Sequence, residues 1–358
     1  MDSTVFFRPI TQYENLGDLV INQELLKALP VNSSVVIEAK GVPTWFVEAL
    51  IKDIKIEQVL TEKKPFYKRV IKSIFSRKQT YFLDVPGHVF YETADRSGWF
   101  RFIKMRLFSL LGIRYVRLGV SLGPYGDSAL ALEVQKSRAY FYTGVREKYS
   151  HQYLKSVGIN NFEYFPDFGL CLDYSSGDKT EKCGVGFSFR SGVVSSNANN
   201  AENTLAICDA LNTIKQSYQL TPIVQVNLDD DYMSLLANEI ELDTASITFF
   251  DHDADKIFSA YENVKFVISN RLHVLIFALS RGAMVIPYID RSRHTKVTGV
   301  FEDIGLGDVI YDIANPTDIN EHLQLVESIF SGLCVESIFK DKKQKITKIL
   351  SESVFKTD

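Results

Sequence analysis

The sequence predicts an α/β protein made of two doubly wound, Rossmann-like domains that face each other across a cleft. Three observations lead to this fold class. The 358 residues are enough for two domains of ordinary size. Short apolar runs alternate with longer helical stretches, as in parallel sheets covered by helices. A polar segment interrupts this alternation near the middle of the chain, after which the alternation restarts.

In the first half of the chain the alternation is regular. We predict strands at residues 4–8, 34–39, 81–85, 115–120 and 139–143. We predict helices at 18–29, 43–52, 65–75, 99–111, 128–137 and 148–157. The central strands are almost continuously apolar, so both faces of the sheet are expected to be covered.

The second half repeats the pattern. We predict strands at residues 184–189, 222–227, 246–250, 264–269, 284–288 and 309–311. We predict helices at 202–218, 230–238, 253–261, 273–280, 296–302, 316–331 and 335–351. The N-terminal domain is therefore placed at 1–174, a linker at 175–182 and the C-terminal domain at 183–358, with the last helix able to pack back on the N-terminal domain. Open α/β sheets bind ligands at the carboxyl ends of their strands, so the cleft is the expected site.

Composition excludes several classes of protein. Apolar residues make up 46% of the chain and charged residues 23%, which is typical of a globular protein. The net charge of −4 argues against a nucleic-acid partner. The four cysteines are far apart, and we expect them to be buried free thiols in a reducing compartment. Because we also find no signal peptide and no membrane-spanning segment, we expect a cytoplasmic protein.

The familiar catalytic motifs are absent or misplaced. The stretch 119–123 matches the G-x-S-x-G of serine hydrolases, but Pro124 and Gly126 follow where the helix of that motif would begin. Residues 229–231 (Asp-Asp-Asp) and 251–253 (Asp-His-Asp) could bind a metal, but both stand where a strand gives way to a helix. We expect them to be helix caps and solvated loops, and we expect neither a metal nor a cofactor.

Four segments near predicted strand ends carry groups suited to a small, highly charged anion. They lie at residues 13–18, 144–150, 269–273 and 288–296. In the first of them, Gly17 would let the backbone approach a ligand at the N-terminus of a helix.

The third segment, Ser-Asn-Arg-Leu-His at 269–273, is the most informative. It places Arg271 and His273 between a very apolar strand and a very apolar helix. The alternative is structural: an arginine paired to a core carboxylate, and a core histidine whose hydrogen bonds are satisfied. Both residues together at a strand end favour an anion site. For Arg146 a surface ion pair with Glu147 and a ligand contact remain open, and Lys296 alone fits a solvated helix residue.

Taken together, these segments resemble the polysaccharide pyruvyl transferase family, with the matches in the family's order over about residues 5–312. The matching stretches are Asn15-Leu16-Gly17-Asp18, Leu122-Gly123-Pro124, Val145-Arg146-Glu147 with Ser150, Gly158-Ile159, Phe165-Pro166-Asp167, Ser269 to His273, Ala278, Gly282, Ile286, and Tyr288 with Lys296 and Val297. Where relatives often carry a glycine-rich stretch, this chain has Asp-Val-Pro-Gly-His at 84–88, which makes His88 a candidate substitute ligand.

The resemblance implies a GT-B-like fold and the transfer of pyruvate from phosphoenolpyruvate to a sugar, usually as a cyclic ketal on two hydroxyls of a cell-surface glycan precursor such as an exopolysaccharide. The candidate catalytic residues are His273, which would contact the phosphate and move a proton, and Asp18, which would act as a base or anchor the acceptor hydroxyl. The candidate substrate-binding residues are Asn15, Gly17, His88, Arg146, Ser150, Arg271, Leu272 and Lys296.

A basic segment stands out against the acidic chain. Residues 61–114 hold twelve basic and four acidic residues, with apolar side chains at helical spacing. One interpretation is helices that pack on the sheet with a solvated basic rim. The other is peripheral docking on the anionic inner leaflet to reach a lipid-linked acceptor.

Two other functions compete with the pyruvyl transferase interpretation. A glycosyltransferase with a nucleotide-sugar donor would have the same architecture and would also need cations for its diphosphate. A non-enzymatic anion- or sugar-binding protein would not need a proton-transfer residue such as His273.

Overall fold

A computed structural model describes residues 2–76, 78–176, 182–191 and 200–356, without the side chains of residues 200 and 201. The chain divides into two compact units. The first comprises residues 1–13, 18–168 and 343–358, and the second comprises residues 14–17 and 169–342. The unit boundary therefore lies at 168/169, whereas the sequence placed it at 174, and the final residues belong to the first unit. Most of the predicted linker, residues 177–181, lies outside the described residues.

The first unit is built on a parallel sheet. Its described strands are β1 (Ser3–Phe7), β2 (Ser33–Glu38), β3 (Gln58–Leu60), β4 (Gln79–Leu83), β5 (Gly87–Val89), β6 (Ile113–Leu122), β7 (Tyr142–Val145) and β8 (Glu163–Tyr164). Their order across the sheet is β3-β2-β1-β4-β6-β7-β8, with β5 paired to β6. The order reverses between β1 and β4, which is the Rossmann arrangement.

Helices of the first unit connect these strands. They are α1 (Leu16–Lys27), α2 (Thr44–Leu50), α3 (Lys63–Ile74), α4 (Arg96–Leu110), α5 (Asp127–Ser137) and α6 (Lys148–Ser156). One core cluster joins α3 and α4 to a face of the sheet through Phe66, Met105, Phe6 and Phe82. Since side chains alternate along a strand, Val5 and Phe7 point to the opposite face, and both are fully buried.

A second parallel sheet forms the other unit. Its described strands are β9 (Val185–Ser188), β10 (Leu220–Val224), β11 (Thr248–Phe249), β12 (Phe266–Ser269), β13 (Met284–Ile289) and β14 (Tyr311–Asp312). Its helices are α7 (Asn200–Lys215), α8 (Asp230–Glu239), α9 (Ala254–Asn263), α10 (Leu272–Ser280), α11 (Thr295–Asp303), α12 (Ile319–Ser331) and α13 (Val335–Ile349), of which α13 ends in the first unit. The strand order β11-β10-β9-β12-β13-β14 is again the Rossmann order, with its reversal between β9 and β12.

The predicted elements are largely confirmed, with two kinds of difference. The short strands β3, β5 and β8 were not predicted, because two or three residues carry too little periodicity. The strand predicted at 139–143 lies at Tyr142–Val145, because residues 138–141 form the turn after α5.

The cysteines are free, but Cys183 and Cys334 are exposed, so the prediction of four buried thiols is wrong for these two.

Among the described residues, no helix combines the length and the apolar composition that a bilayer-spanning segment needs.

Candidate active site

A cluster of basic side chains lies at the carboxyl edge of the second sheet, at its topological switch point. Arg190 follows β9, and Arg271 follows the neighbouring strand β12. The chain leaves these two strands in opposite directions, which opens a crevice beyond their carboxyl ends. The fold therefore brings two guanidinium groups, 81 positions apart in sequence, to the position where such sheets bind ligands.

Ser269 and Asn270 fix the backbone at this edge. The Ser269 hydroxyl donates to the Ser188 carbonyl at 2.6 Å and accepts from the Arg271 amide at 2.9 Å. The Asn270 side chain accepts from the Arg190 amide and donates to the Arg190 carbonyl, both at 3.0 Å. The side-chain amide of Asn270 therefore continues the pairing of β9 and β12 past the last strand residue and holds Arg190 and Arg271 in register.

Arg271 is paired with a carboxylate. Its Nη2 donates to Asp229 Oδ1 at 2.5 Å, and its Nε contacts Oδ2 of the same residue. A guanidinium has five N–H donors, so two are engaged here and three are not engaged by any residue that the structure describes. Burial raises the pKa of Asp229, and the adjacent Arg271 opposes this shift. Asp229 occupies the N-cap position of α8, as predicted, but its side chain makes no capping hydrogen bond there and pairs with Arg271 instead. The cap predicted at Asp253 is confirmed by its bond from the Lys256 amide.

His273 packs against the start of α1. Asn15 accepts from the Gly17 amide at 2.9 Å, a side-chain turn that opens the helix. A Cβ atom at Gly17 would lie 2.8 Å from His273 Nδ1, so only glycine allows this approach. The imidazole also stacks on Phe277 one turn along α10, with ring centroids 5.8 Å apart. The side chain of Leu272, between Arg271 and His273, is buried in the core.

His294 adds a buried imidazole to the same edge, after β13. The residue is 7% exposed, and neither ring nitrogen has a hydrogen-bond partner among the described residues. Burial lowers the pKa of His294 to about 4. The Asp290 carbonyl and carboxylate oppose this shift, and the positive charges of Arg190 and Lys296 add to it. The imidazole is therefore neutral near pH 7.

Three basic side chains, those of Arg190, Arg271 and Lys296, act electrostatically on the titratable groups of this crevice. Burial and the charge of Arg271 both lower the pKa of Arg190. Lys296 lies in the first turn of α11, close enough to shift His294. The nearby Asp290 carboxylate is held by Ser292 and by the Arg293 amide. A positively charged crevice of this kind is suited to a small anion with more than one charged group.

Arg146 and Ser150 lie in the first unit, in a buried network beside β6. Arg146 is 1% exposed; its Nε donates to Ser121 at 2.7 Å and its Nη1 pairs with Asp167. Ser150 accepts from the Leu122 amide at 3.1 Å and donates to Glu147. The surface ion pair considered for Arg146 is thus a buried pair with Asp167, and none of the described residues gives Nη2 of Arg146 a hydrogen-bond partner. A ligand contact of either residue stays a prediction.

Asp18 and His88 also belong to the first unit. The Asp18 carboxylate accepts from the Thr11 hydroxyl at 2.5 Å and from the Gln12 amide at 3.2 Å, so it ties the loop before α1. His88 is exposed, and its Nε2 lies 3.0 Å from the Gly123 carbonyl. The catalytic role of Asp18 and the ligand role of His88 stay predictions.

The structure therefore groups the predicted residues in two sets. Six lie in the second unit: Asn15, Gly17, Arg271, Leu272, His273 and Lys296. Four lie in the first: Asp18, His88, Arg146 and Ser150. The sequence analysis did not select Arg190 or Asp229 as site residues, and it included His294 only as a member of the anion-suited segment 288–296. Arg190 could have been found, because it follows the strand that opens the second domain.

Two Rossmann-type units of this kind define the GT-B fold class, and solved structures of that class resemble the chain. A glycosyltransferase from Rickettsia africae ESF-5 has a TM-score of 0.58 at 11% identity, covering 97% of this chain and 94% of the other. The UDP-GlcNAc 2-epimerase from Neisseria meningitidis has a TM-score of 0.53 at 12% identity, covering all of both chains. The lipopolysaccharide outer core galactosyltransferase WaaB has a TM-score of 0.51 at 12% identity, covering 99% of each. At these identities the likeness shows the fold alone.

The sequence itself identifies the family. The family model for polysaccharide pyruvyl transferase matches residues 15–289, which is most of the chain. The chain therefore belongs to the polysaccharide pyruvyl transferase family, and the resemblance seen in its motifs is confirmed. No curated protein matches the chain.

Proposed function

We propose that this protein transfers pyruvate from phosphoenolpyruvate to two hydroxyls of a glycan acceptor, forming a cyclic ketal and releasing phosphate. The family supports a transferase that acts on polysaccharides. The observation that carries the donor assignment is the cationic crevice at the switch point of the second sheet, built from Arg190, Arg271, His294 and Lys296.

Phosphoenolpyruvate fits the chemistry of this crevice. It is small and carries a phosphate and a carboxylate, with about three negative charges in total. Arginine binds both groups through paired N–H donors, and Arg271 has donors left after its pair with Asp229. Each charge-assisted hydrogen bond contributes about 1.5–3 kcal/mol, so a few of them overcome the repulsion from a chain of net charge −4.

The reaction balances in protons and electrons without a redox step. A proton adds to the methylene carbon of phosphoenolpyruvate and leaves an oxocarbenium-like centre at the adjacent carbon. One acceptor hydroxyl attacks that carbon and loses its proton. The carbon–oxygen bond to phosphate then breaks, the electron pair leaves with phosphate, and a second hydroxyl closes the ketal with loss of its proton.

His273 is the residue we propose to move the first proton and to contact the phosphate. Its imidazole is held between Gly17 and Phe277, and this packing fixes the ring orientation that a proton transfer needs. Asn15 and Gly17 would shape the start of α1 for the ligand, and Leu272 would buttress the loop from the core. The roles of Asp18 as base, and of Arg146, Ser150 and His88 as further contacts, belong to the same proposal.

Incubation with phosphoenolpyruvate and a nitrophenyl glycoside acceptor tests the proposal. We expect phosphate release together with a mass gain of one pyruvate ketal on the acceptor. Arg271→Ala and His273→Ala should each lower the rate by at least about 100-fold. Arg281→Ala, at the opposite end of α10 and paired with Glu262, should retain it.

Two results would contradict the proposal. One is wild-type transfer by both site variants. The other is turnover or thermal stabilisation with nucleotide sugars but not with phosphoenolpyruvate, which would favour the glycosyltransferase alternative.

A further inference from the structure

Helix α4 is apolar on two opposite faces. Gly98 and Met105 lie on its buried face, where Met105 joins the core under the sheet. The opposite face holds six apolar residues in an arc of about 120° at helical spacing. They are the exposed Trp99, Phe100, Ile103, Leu107, Leu110 and Leu111. Phe100 is 71% exposed and Leu110 76%, so no part of the chain that the structure describes covers this arc.

Helix α3 extends the same exposed region. Lys104 of α4 donates to the Tyr67 hydroxyl of α3 at 2.7 Å and lies over its ring, so the two helices are side by side. On α3, Ile71 and Phe75 are exposed, and Phe75 is 85% exposed. We call these eight apolar residues of α3, α4 and their C-terminal ends the α3–α4 surface.

Positive charge is interleaved with these apolar side chains. The segments Lys63–Ile74 and Arg96–Leu110 hold nine basic residues and no acidic residue. Within the described part of the chain, Lys63, Lys64, Lys68 and Lys72 have no carboxylate partner. The basic side chains are long, so they can lay their stems along apolar surface and keep their charges in water.

We propose that the α3–α4 surface docks on an anionic lipid bilayer. Large exposed apolar patches are uncommon on monomeric proteins and mark interaction sites. A bilayer with anionic headgroups offers negative charge above an apolar interior, so it complements both features of this surface. A second copy of the chain would instead bring nine basic residues against nine, of which Arg69 and Arg101 have a carboxylate partner, and the repulsion among the others disfavours a two-fold contact here.

Docking would bring the enzyme to a lipid-linked acceptor, but the proposal does not depend on the donor chemistry. Binding to vesicles needs neither phosphoenolpyruvate nor an acceptor. The docking proposal and the pyruvyl transfer proposal can therefore fail separately.

Co-sedimentation of the full chain with lipid vesicles tests the proposal. We expect binding to phosphatidylcholine vesicles that contain about 30% phosphatidylglycerol and little binding to phosphatidylcholine alone. Raising the salt from about 0.1 M to about 0.5 M should weaken the binding by about tenfold or more.

Two sets of variants separate the apolar from the charged contribution. The apolar variant is Phe100→Gln, Ile103→Gln and Leu107→Gln; the charge variant is Lys64→Glu, Lys68→Glu and Lys72→Glu. Each should weaken vesicle binding by at least about tenfold. The matched controls are Val31→Gln, Leu205→Gln and Leu325→Gln, and Lys40→Glu, Lys52→Glu and Lys55→Glu. These controls change exposed residues outside the α3–α4 surface and should retain binding.

The variants should also keep the circular dichroism spectrum and the urea unfolding midpoint of the unaltered protein, which separates lost docking from lost folding. Equal binding to neutral and anionic vesicles, or binding that all variants retain, would overturn the proposal. So would self-association without lipid that the apolar variant abolishes, because a second copy would then be the occupant.

Discussion

Replacing His294 with glutamine should flatten the pH dependence of stability between about pH 4 and pH 6.5. Burial lowers the pKa of His294 to about 4 in the folded protein. In the unfolded chain an imidazole titrates near pH 6.5. Between these values the unfolded chain binds a proton that the folded chain does not, so the free energy of unfolding rises with pH.

The size of the effect follows from the two pKa values. A difference of about 2.5 pKa units corresponds to about 3 kcal/mol. This contribution is fully present above about pH 6.5 and is lost as the pH falls to about 4. Glutamine does not titrate in this range, so the variant should lack that part of the slope.

Urea unfolding at several pH values measures how the free energy of unfolding depends on pH. Both tryptophans, Trp45 and Trp99, lie in the first unit, so circular dichroism is the better probe of the second unit. His252→Gln is the matched control, because His252 is exposed. Two results would refute the argument. One is a His294→Gln variant whose unfolding free energy still rises with pH as in the unaltered protein, and the other is a His252→Gln control in which that rise is lost.

Three further substitutions test other contacts. Gly17→Ala should displace His273 and lower pyruvyl transfer by about 100-fold, while unfolding free energy changes by less than about 2 kcal/mol. Asn270→Ala removes two hydrogen bonds to the backbone after β9 and should cost about 2 kcal/mol in urea unfolding. Arg117→Met leaves Glu133 buried without its ion pair and should cost about 3–5 kcal/mol, most of which a second change, Glu133→Leu, should recover.

Each has a contrary outcome. Wild-type transfer by Gly17→Ala would mean that the imidazole position does not matter. An unchanged free energy of unfolding for Asn270→Ala would mean that the side-chain amide of Asn270 does not stabilise the ends of β9 and β12. A double variant at positions 117 and 133 no more stable than the single one would show that the pair is not the source of the loss.

The extent of the sequence prediction varies with the kind of feature. The motif at 269–273 was found because polar residues between two apolar runs are visible in any window of the chain. Asp229 was interpreted as a cap, because its own window shows only a helix start. Its contact with Arg271, 42 positions away, is made by two different loops of the same sheet edge.

Arg146 shows the same limit in another form. Its place after a strand left open a surface ion pair with Glu147 and a ligand contact, whereas the folded chain buries its side chain against Asp167 and Ser121. Helix α4 shows it too: an apolar residue every three or four positions predicts a helix, but it does not say which of two apolar faces the core covers.

The sequence alone determined the two Rossmann-type sheets, the family and the segment that carries Arg271 and His273. These depend on local periodicity and on residues adjacent in the chain, which any short window contains. Only the tertiary structure decided that Arg190, Asp229 and His294 join that segment, and that Trp99 to Leu111 leaves one apolar face in water. Such features are set by strand order and by packing between distant segments, and no local pattern encodes which distant residues will meet.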